Sequence, residues 1–439
     1  MVDRDIVGEI DDGSTNQTRL PRLNRYNTGE PHTRDSQEIS LFFATLARTM
    51  HHHTDGPNTS KPTIAPMIET VHSRSRISET SIPFSEFRDL EASALDGIVT
   101  SIKDRMGPSL KILGHHYQQD EVIRHADLTG DSLKLSQLAG QDQACRAIVF
   151  CGVHFMAETA DILSRPEVAV YLPDRAAGCS MADMADLDSV ETAWSELAVH
   201  LDVDQITPVT YINSSAALKS FCGRHGGIVC TSSNARRVLD WAFSRRPRVL
   251  FFPDQHLGRN TARAMGVPLE SMALWDPHQA MGGNDPATLH DRRVLLWKGH
   301  CSVHQMFKPS HLDQFRRLYP DGKVLVHPEC MMEVVDAADL VGSTESIIQT
   351  IEHAPAGSSW GIGTELHLVN RLASRHPDKT IHFLSPMVCM CATMYRIDPP
   401  HLAWCLVNLE RGSPVNRIQV DPETANWAKV ALDRMLELR

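Results

Sequence analysis

The chain has 439 residues, of which 42% are hydrophobic and 22% are charged, a composition typical of a globular protein with a substantial core. Its net charge of -11 argues against nucleic-acid binding as the main function, because neutralising phosphates requires a basic face. The longest apolar runs are far shorter than the roughly 20 residues that span a bilayer, so we expect no membrane helix.

The cysteines indicate the cellular compartment and one possible chemistry. Ten cysteines are too few for a disulfide scaffold in a chain of this length. The acidic N-terminal segment does not resemble a secretory signal or an Arg-rich transit peptide, so we expect a cytoplasmic protein with reduced thiols. Five cysteines lie in apolar segments, where cysteine behaves as a small hydrophobic residue: Cys145, Cys151, Cys222, Cys230 and Cys405.

The first 95 residues differ in composition from the rest of the chain. They are rich in Ser, Thr, Arg, Asp and Pro, and they show no sustained period of 2 or 3.6. We therefore expect residues 1–95 to be a disordered extension that lies outside the fold. Deleting them should leave a folded and active protein.

From about residue 98, short β-branched apolar runs alternate with amphipathic helical stretches. This alternation predicts an α/β fold with parallel sheets that are covered by helices. Ligands of such sheets bind at the carboxyl ends of the strands. The predicted strands are SLKILG, RAIVFCG, VAVYLP, QITPVTYI, GIVC, RVLFFP, RVLLWK, KVLVHP, SWGIG and TIHFLS.

An internal repeat indicates that the α/β region consists of related units. His115 and His327 each begin a stretch that continues through AlaAspLeu and Gly to a hydroxyl residue, at identical offsets. A segment from Tyr211 to Ser232 is a more diverged copy. We predict three units, at 96–203, 204–303 and 304–394, with C-terminal helices at 395–439 that pack on the first.

Each predicted unit ends in a cysteine that follows a strand: Cys179, Cys301 and Cys391. If pseudo-threefold symmetry relates the units, the three thiols converge, and soft sulfur ligands suit zinc or an iron–sulfur cluster. Three thiolates on a [4Fe-4S] cluster would leave one iron open to substrate, like the open position of catalytic zinc. Cys389 lies two residues from Cys391 and would point the same way in an extended segment, so the choice between them stays open here.

The ordered sequence blocks resemble the quinolinate synthase family (quinolinate synthase A) from about residue 110 to the end. The resemblance implies three α/β domains in a triangle around a central [4Fe-4S] cluster, with one iron facing the substrate. The blocks are GHHYQQDEV, ADLTGDSLKL, FMAETADIL, AGCSMADM, YINSSAALK, CTSSNA, WKGHCSVH, HPECMMEV, ADLVGSTESI, GIGTE and CATM.

The resemblance also implies an activity and a set of cluster ligands. It implies a transferase of NAD biosynthesis that condenses iminosuccinate with dihydroxyacetone phosphate, releasing quinolinate, phosphate and water. An aspartate-oxidising enzyme is the partner expected to supply iminosuccinate. The implied ligands are Cys179, Cys301 and Cys391, because Cys391 and Met394 fit the family's CxxM pattern and Cys389 does not.

The substrate residues implied by the resemblance are rich in hydroxyl, amide and imidazole groups, which suit anionic substrates. Glu329 is the expected base, while Tyr117, Tyr211 and His327 would position or protonate oxygens. The complete set is His115, Tyr117, Ser132, Tyr211, Asn213, Ser232, His327, Glu329 and Thr344.

Two other functions stay open at this stage. One is a zinc- or cluster-dependent lyase or aldolase acting on another phosphorylated ketone. The second is an iron–sulfur sensor, although no basic recognition helix is visible in the sequence. Four further polar residues near the motifs receive no role from the sequence: Glu158, His304, Glu365 and His367.

Overall fold

Parallel strands dominate the architecture of the protein. The structure, a computed structural model, describes residues 80–131, 134–135, 142–387 and 390–438. The strands are β1 (Leu110–His115), β2 (Leu128–Gly130), β3 (Ala147–Cys151), β4 (Ala169–Tyr171), β5 (Ile206–Tyr211), β6 (Ile228–Cys230), β7 (Arg248–Phe252), β8 (Met272–Trp275), β9 (Val294–Trp297), β10 (Lys323–Val326), β11 (Leu340–Val341), β12 (Ser359–Gly363), β13 (Thr380–Phe383) and β14 (Arg417–Ile418).

Helices connect most of these strands. They are α1 (Ser85–Arg88), α2 (Ala92–Met106), α3 (Asp120–Ile123), α4 (His154–Leu163), α5 (Leu187–His200), α6 (Ala216–Arg224), α7 (Ala235–Arg245), α8 (Gln255–Ala264), α9 (Pro286–Leu289), α10 (Ser302–Gln305), α11 (Pro309–Leu318), α12 (Met332–Ala337), α13 (Thr344–Glu352), α14 (Leu366–Arg375), α15 (Pro399–Glu410) and α16 (Pro422–Glu437).

The three sheets repeat one strand order. The first contains β2-β1-β3-β4, the second β6-β5-β7-β9, and the third β11-β10-β12-β13, and every pairing within these orders is parallel. The first sheet adds β14 antiparallel to β4, and the second adds β8 beside β9. The predicted α/β class with parallel sheets is therefore confirmed. We call each sheet and its connecting helices a unit.

All ten predicted strands are present, whereas β2, β8, β11 and β14 were missed. The missed strands are two to four residues long and lie at sheet edges, so they offer too few residues for a period to be recognised. By contrast, every residue of β3 and of β5 is buried, which is why these central strands are continuous apolar runs. The sequence limits given above for the three units stay predictions.

The C-terminal helices do not all pack where we expected. Helix α15 packs on α2 of the first unit, but α16 packs on α6 and β6 of the second. Ala428, Ala431, Leu432 and Met435 of α16 are buried in the core of the second sheet. The prediction that residues 395–439 pack on the first unit is therefore wrong for α16, because its apolar face completes the second core.

The predicted boundary at residue 95 is also wrong, because residues 80–95 belong to the fold. Phe87 is fully buried in α1, and Ile82 is 5% exposed. The Ile82 N–H donates to Asn408 Oδ1 (2.7 Å), and the Ile82 carbonyl accepts from Trp404 Nε1 (2.7 Å). The segment was missed because it is short and its partners lie more than 300 positions away. The expectation for residues 1–79 lies outside the described residues.

This packing predicts that truncations on either side of residues 80–95 differ in stability. A chain that begins at residue 96 loses the buried Phe87 and the hydrogen bonds of Ile82, whereas a chain that begins at residue 80 keeps them. We expect the shorter chain to lose at least about 3–5 kcal/mol of unfolding free energy, the usual cost of removing a buried Phe. Anaerobic denaturant titration of both chains measures this difference, and equal midpoints would contradict the prediction.

Candidate active site

The carboxyl ends of strands from all three sheets surround one cavity. It therefore lies where ligands of parallel sheets are expected to bind. Ser132 and Cys389 lie outside the described residues. Every other site residue predicted from the sequence lines this cavity: His115, Tyr117, Cys179, Tyr211, Asn213, Ser232, Cys301, His327, Glu329, Thr344 and Cys391.

The repeat in the sequence corresponds to one turn that is built twice. After β1, the Tyr117 N–H donates to His115 Nδ1 (3.2 Å) and the Gln118 N–H donates to the His115 carbonyl (3.0 Å). After β10, Glu329 and Cys330 make the same two bonds to His327, at 3.3 and 3.0 Å. The turn places Tyr117 in the first unit, and Glu329 in the third, on the wall of the cavity.

The Glu329 carboxylate is buried and fully engaged by polar groups. Glu329 is 2% exposed, and its Oε1 accepts a hydrogen bond of 2.6 Å from the Tyr211 hydroxyl. His304 Nδ1 lies 3.1 Å from its Oε2, and His327 Nδ1 lies 3.7 Å from its Oε1. The His304 and His327 rings stack with centroids 4.4 Å apart. Residues from two units therefore hold the carboxylate in one orientation.

These contacts set the charge states of the site. Burial alone would raise the pKa of Glu329, but the imidazoles of His327 and His304 and the hydrogen bonds outweigh burial and lower this pKa below its usual range. Burial lowers the pKa of His327 to about 3 and raises the pKa of Tyr211 well above its usual range. At neutral pH, an ionised Glu329 therefore accepts a hydrogen bond from a Tyr211 phenol that keeps its proton.

Thr364 joins this carboxylate group to Tyr117. The Tyr117 hydroxyl lies 3.0 Å from Thr364 Oγ1 and 2.8 Å from Thr344 Oγ1, and His304 Nε2 lies 3.3 Å from Thr364 Oγ1. Sequence reasoning missed Thr364, although it lies in the GIGTE block directly after β12. A hydrogen-bonded chain thus runs across the site through Tyr211, Glu329, His304, Thr364, Tyr117 and Thr344.

Replacing Thr364 by valine tests the importance of this chain. The variant keeps the shape of the side chain but removes the hydroxyl between Tyr117 and His304. We expect kcat to fall about tenfold, the effect of losing about 1.4 kcal/mol of transition-state stabilisation. Thr350→Val is the matched control, because Thr350 is half-buried on α13 and its hydroxyl donates to the Ser346 carbonyl of the same helix (2.7 Å). Equal kcat values for the two variants would contradict the prediction.

Three thiols from three units face the same cavity. Burial raises the pKa of Cys179 to about 12, with the neighbouring Cys391 and Glu329 adding to this effect. Burial also raises the pKa of Cys301 well above its usual range, and Glu329, Cys179 and Cys391 add to the rise. Thiols that disfavour one another's ionisation fit a site whose thiolates are stabilised by bound metal.

The other cysteines among the described residues are not part of this arrangement. Cys330 is fully buried, its Sγ faces the Gly363 carbonyl at 3.7 Å, and it is not among the described residues that line the cavity. The five cysteines interpreted as core residues are all completely buried. Cys301 also belongs to a second group of potential metal ligands. The ligand atoms of Cys301, His304 and Glu329 lie within 4.8 Å of one another.

Comparison with known proteins identifies the family. The sequence profile described as Quinolinate synthetase A protein matches residues 99–437. The chain belongs to the quinolinate synthase family. A relative from Rhodopirellula baltica, named quinolinate synthase, is 60% identical over 368 residues, covering 81% of this chain and 94% of the relative.

Other relatives of the same name support this assignment. The quinolinate synthase of Corynebacterium glutamicum is 55% identical over 353 residues, covering 80% of this chain and 90% of the relative. That of Geobacillus kaustophilus is 54% identical over 354 residues, covering 80% and 95%. The family resemblance predicted from the sequence blocks is confirmed, and the chain is an enzyme. In the described part of the chain, no helix is long and apolar enough to cross a membrane.

The four polar residues left without a role in the sequence analysis occupy different places in this member of the quinolinate synthase family. His304 and Glu365 line the cavity. Glu365 is 1% exposed, its Oε2 accepts the His367 N–H (2.7 Å) at the start of α14, and burial raises its pKa to about 7. Glu158 accepts the Ala216 N–H (2.9 Å), and His367 stacks on Tyr395. Of these four, His304 makes the most contacts with the predicted site residues.

Proposed function

We propose that the protein condenses iminosuccinate with dihydroxyacetone phosphate to give quinolinate, phosphate and water in NAD biosynthesis. A [4Fe-4S] cluster held by Cys179, Cys301 and Cys391 would serve this reaction. The observation that carries the proposal is that the three thiols and the Glu329 carboxylate face one cavity built by three sheets. Cytoplasmic location and supply of iminosuccinate by an aspartate-oxidising enzyme are parts of the same proposal.

The donor set fits such a cluster. Each thiol comes from a different unit, and the proximity of Cys391 adds to the rise in the pKa of both Cys179 and Cys301, as expected for ligands around one centre. Three protein thiolates leave one iron without a protein ligand, and the cluster then supplies a Lewis acid that faces the substrate. Cys391 is preferred to Cys389 because of the CxxM pattern, and that choice stays a prediction.

Neutral hydrogen-bond donors would hold the anionic substrates. Iminosuccinate carries two carboxylates and its partner carries a phosphate, so the site needs donors rather than further carboxylates. Asn213, Ser232, Thr344 and Tyr117 line the cavity, and Thr344 begins helix α13, whose N-terminus favours anions. We propose that these groups, with His115, bind the substrates, and that Ser132 does so as well.

The Glu329 group would move the protons. Its carboxylate is ionised at neutral pH, and anionic substrates that enter the cavity would raise its pKa and make it a stronger base. Tyr211 donates a hydrogen bond to Glu329 and can stabilise the carboxylate or return a proton. Tyr117 and His327 would orient or protonate substrate oxygens as the ring closes and water leaves.

One alternative has its own supporting observation. The group formed by Cys301, His304 and Glu329 resembles a site for a single divalent ion such as zinc, and a zinc-dependent aldolase or lyase would use it directly. However, this group leaves Cys179 and Cys391 without a role, although both thiols line the cavity.

Anaerobic purification followed by metal analysis and a quinolinate assay tests the proposal. We expect about four irons and four sulfides per chain, as a [4Fe-4S] cluster requires. Quinolinate should form when dihydroxyacetone phosphate is mixed with iminosuccinate generated by an aspartate-oxidising enzyme. One zinc per chain without sulfide would favour the alternative, and an iron–sulfur protein that forms no quinolinate would overturn the assigned reaction.

A further inference from the structure

Arg371 of the third unit holds the active-site turn of the first. It is 5% exposed on α14, and its Nη1 donates to the His116 carbonyl (2.7 Å). Its Nη2 donates to the Gln118 carbonyl, and its Nε donates to Asp120 Oδ1 (2.6 Å). One buried guanidinium therefore binds the backbone on both sides of Tyr117.

Asn260 of the second unit holds the turn of the third in the same manner. It is 7% exposed on α8, and its Nδ2 donates to the Pro328 carbonyl (2.9 Å) and to the Cys330 carbonyl (2.8 Å). These two carbonyls lie on both sides of Glu329. The Asn260 Oδ1 is buried without a hydrogen-bond partner among the described residues, so the side-chain amide binds the turn through Nδ2.

The two contacts occupy equivalent places in the repeat. Asn260 lies six residues after Asp254, the N-cap of α8, and Arg371 lies six residues after Glu365, the N-cap of α14. In each case the accepting carbonyls belong to the first and third residues after the turn histidine. We call this arrangement the clasp.

The third equivalent position lacks a clasp. Thr159 lies six residues after Val153, the N-cap of α4, but its hydroxyl donates to the Phe155 carbonyl of its own helix (2.8 Å). The turn after Tyr211 is held instead by Lys219, whose Nζ donates to the Ser214 carbonyl. The clasp therefore occurs on the two turns that carry Tyr117 and Glu329.

We propose that Arg371 and Asn260 are positioning residues, which fix Tyr117 and Glu329 in the cavity from the neighbouring unit. This inference rests on the catalytic roles proposed above for Tyr117 and Glu329. Holding the carbonyls on both sides of a residue fixes the direction of its side chain. A shift of about 1 Å in a catalytic group can lower the rate about 100-fold. Loss of the clasp should therefore lower kcat, although neither clasp residue contacts the substrate.

The first experiment compares Arg371→Gln and Arg371→Lys with Arg375→Gln. Arg375 is exposed one turn further along α14, so its substitution removes the same charge without touching the turn. We expect Arg371→Gln to lower kcat by roughly 10- to 100-fold, with KM changed less and iron content unchanged. Arg371→Lys keeps the charge but not the planar fork, so it should recover only part of kcat even if Arg371→Gln folds poorly.

The second experiment applies the same comparison to the other turn. Asn260→Ala removes the donor to Pro328 and Cys330, while Thr261→Ala on the same helix is the matched control. We expect Asn260→Ala to lower kcat by roughly 10- to 100-fold at normal iron content, because Glu329 loses its fixed position. Either clasp variant matching its control in kcat would overturn the proposal for that residue.

Hydrogen exchange separates positioning from general destabilisation. Arg371→Gln should speed amide exchange in peptides covering 115–119 and leave peptides covering 327–331 unchanged, whereas Asn260→Ala should do the reverse. Faster exchange in both regions for both variants would show general loosening and overturn the clasp. Hydrogen exchange does not depend on enzyme activity. If the wild-type protein made no quinolinate, the proposed function would be wrong, but the exchange rates would still show whether Arg371 and Asn260 hold the two turns.

Discussion

Replacing Cys179, Cys301 or Cys391 by alanine is expected to abolish both the anaerobic iron–sulfur absorbance and quinolinate formation. Each thiol comes from a different unit and all three line one cavity, so no remaining thiol in the described cavity wall can replace the one removed. The loss should be complete, because a cluster that has already one open iron would keep only two protein ligands. Absorbance spectra with iron and sulfide counts on anaerobically purified variants measure it.

Two further alanine variants serve as controls for this result. Cys330→Ala removes a buried thiol that faces the Gly363 carbonyl, so it should keep the cluster. Cys389→Ala should keep it as well, if Cys391 is the ligand. Loss of the cluster in Cys389→Ala but not in Cys391→Ala would show that the ligand register at this pair is wrong. Melting curves of each variant exclude loss of fold as the cause.

The family resemblance named the site residues, and the geometry of parallel sheets explains why they line one cavity. The carboxyl ends of buried strands meet at one edge of a sheet; His115 and Tyr211 end β1 and β5, and Glu329 lies just beyond β10. The repeat added evidence, because identical offsets after His115 and His327 correspond to identical turns. The fold class and eleven residues of the cavity wall could therefore be predicted from one sequence.

Contacts between units could not be predicted from the sequence, because the sequence of a helix does not show which turn of a neighbouring unit it contacts. Arg371 contacts carbonyls more than 250 positions away, and a backbone carbonyl has no signature in the sequence. Thr364 resembled an ordinary residue before a helix until Tyr117 and His304 were found beside it. The missed folding of residues 80–95 has the same origin, since Ile82 and Phe87 are informative only when α15 is present.

Replacing Glu329 by glutamine is expected to separate catalysis from cluster assembly. The amide keeps the shape and one oxygen acceptor for the Tyr211 hydroxyl, but it removes the negative charge and the base. The three thiols are untouched, so the iron count should stay at the wild-type value. Binding of a simple dicarboxylate such as malate should persist, because the groups proposed to hold carboxylates lie elsewhere in the cavity.

Turnover of Glu329→Gln should fall roughly 100-fold or more, the usual scale for removing general acid–base catalysis. Raising the pH should not restore it, because glutamine has no ionised form that could accept the proton. Glu333 is exposed on α12, four residues further along the chain. Glu333→Gln is therefore the matched control and should keep the wild-type kcat. Near-normal quinolinate formation by Glu329→Gln would remove this carboxylate from the mechanism. The proton transfers would then fall to Tyr117 or His327.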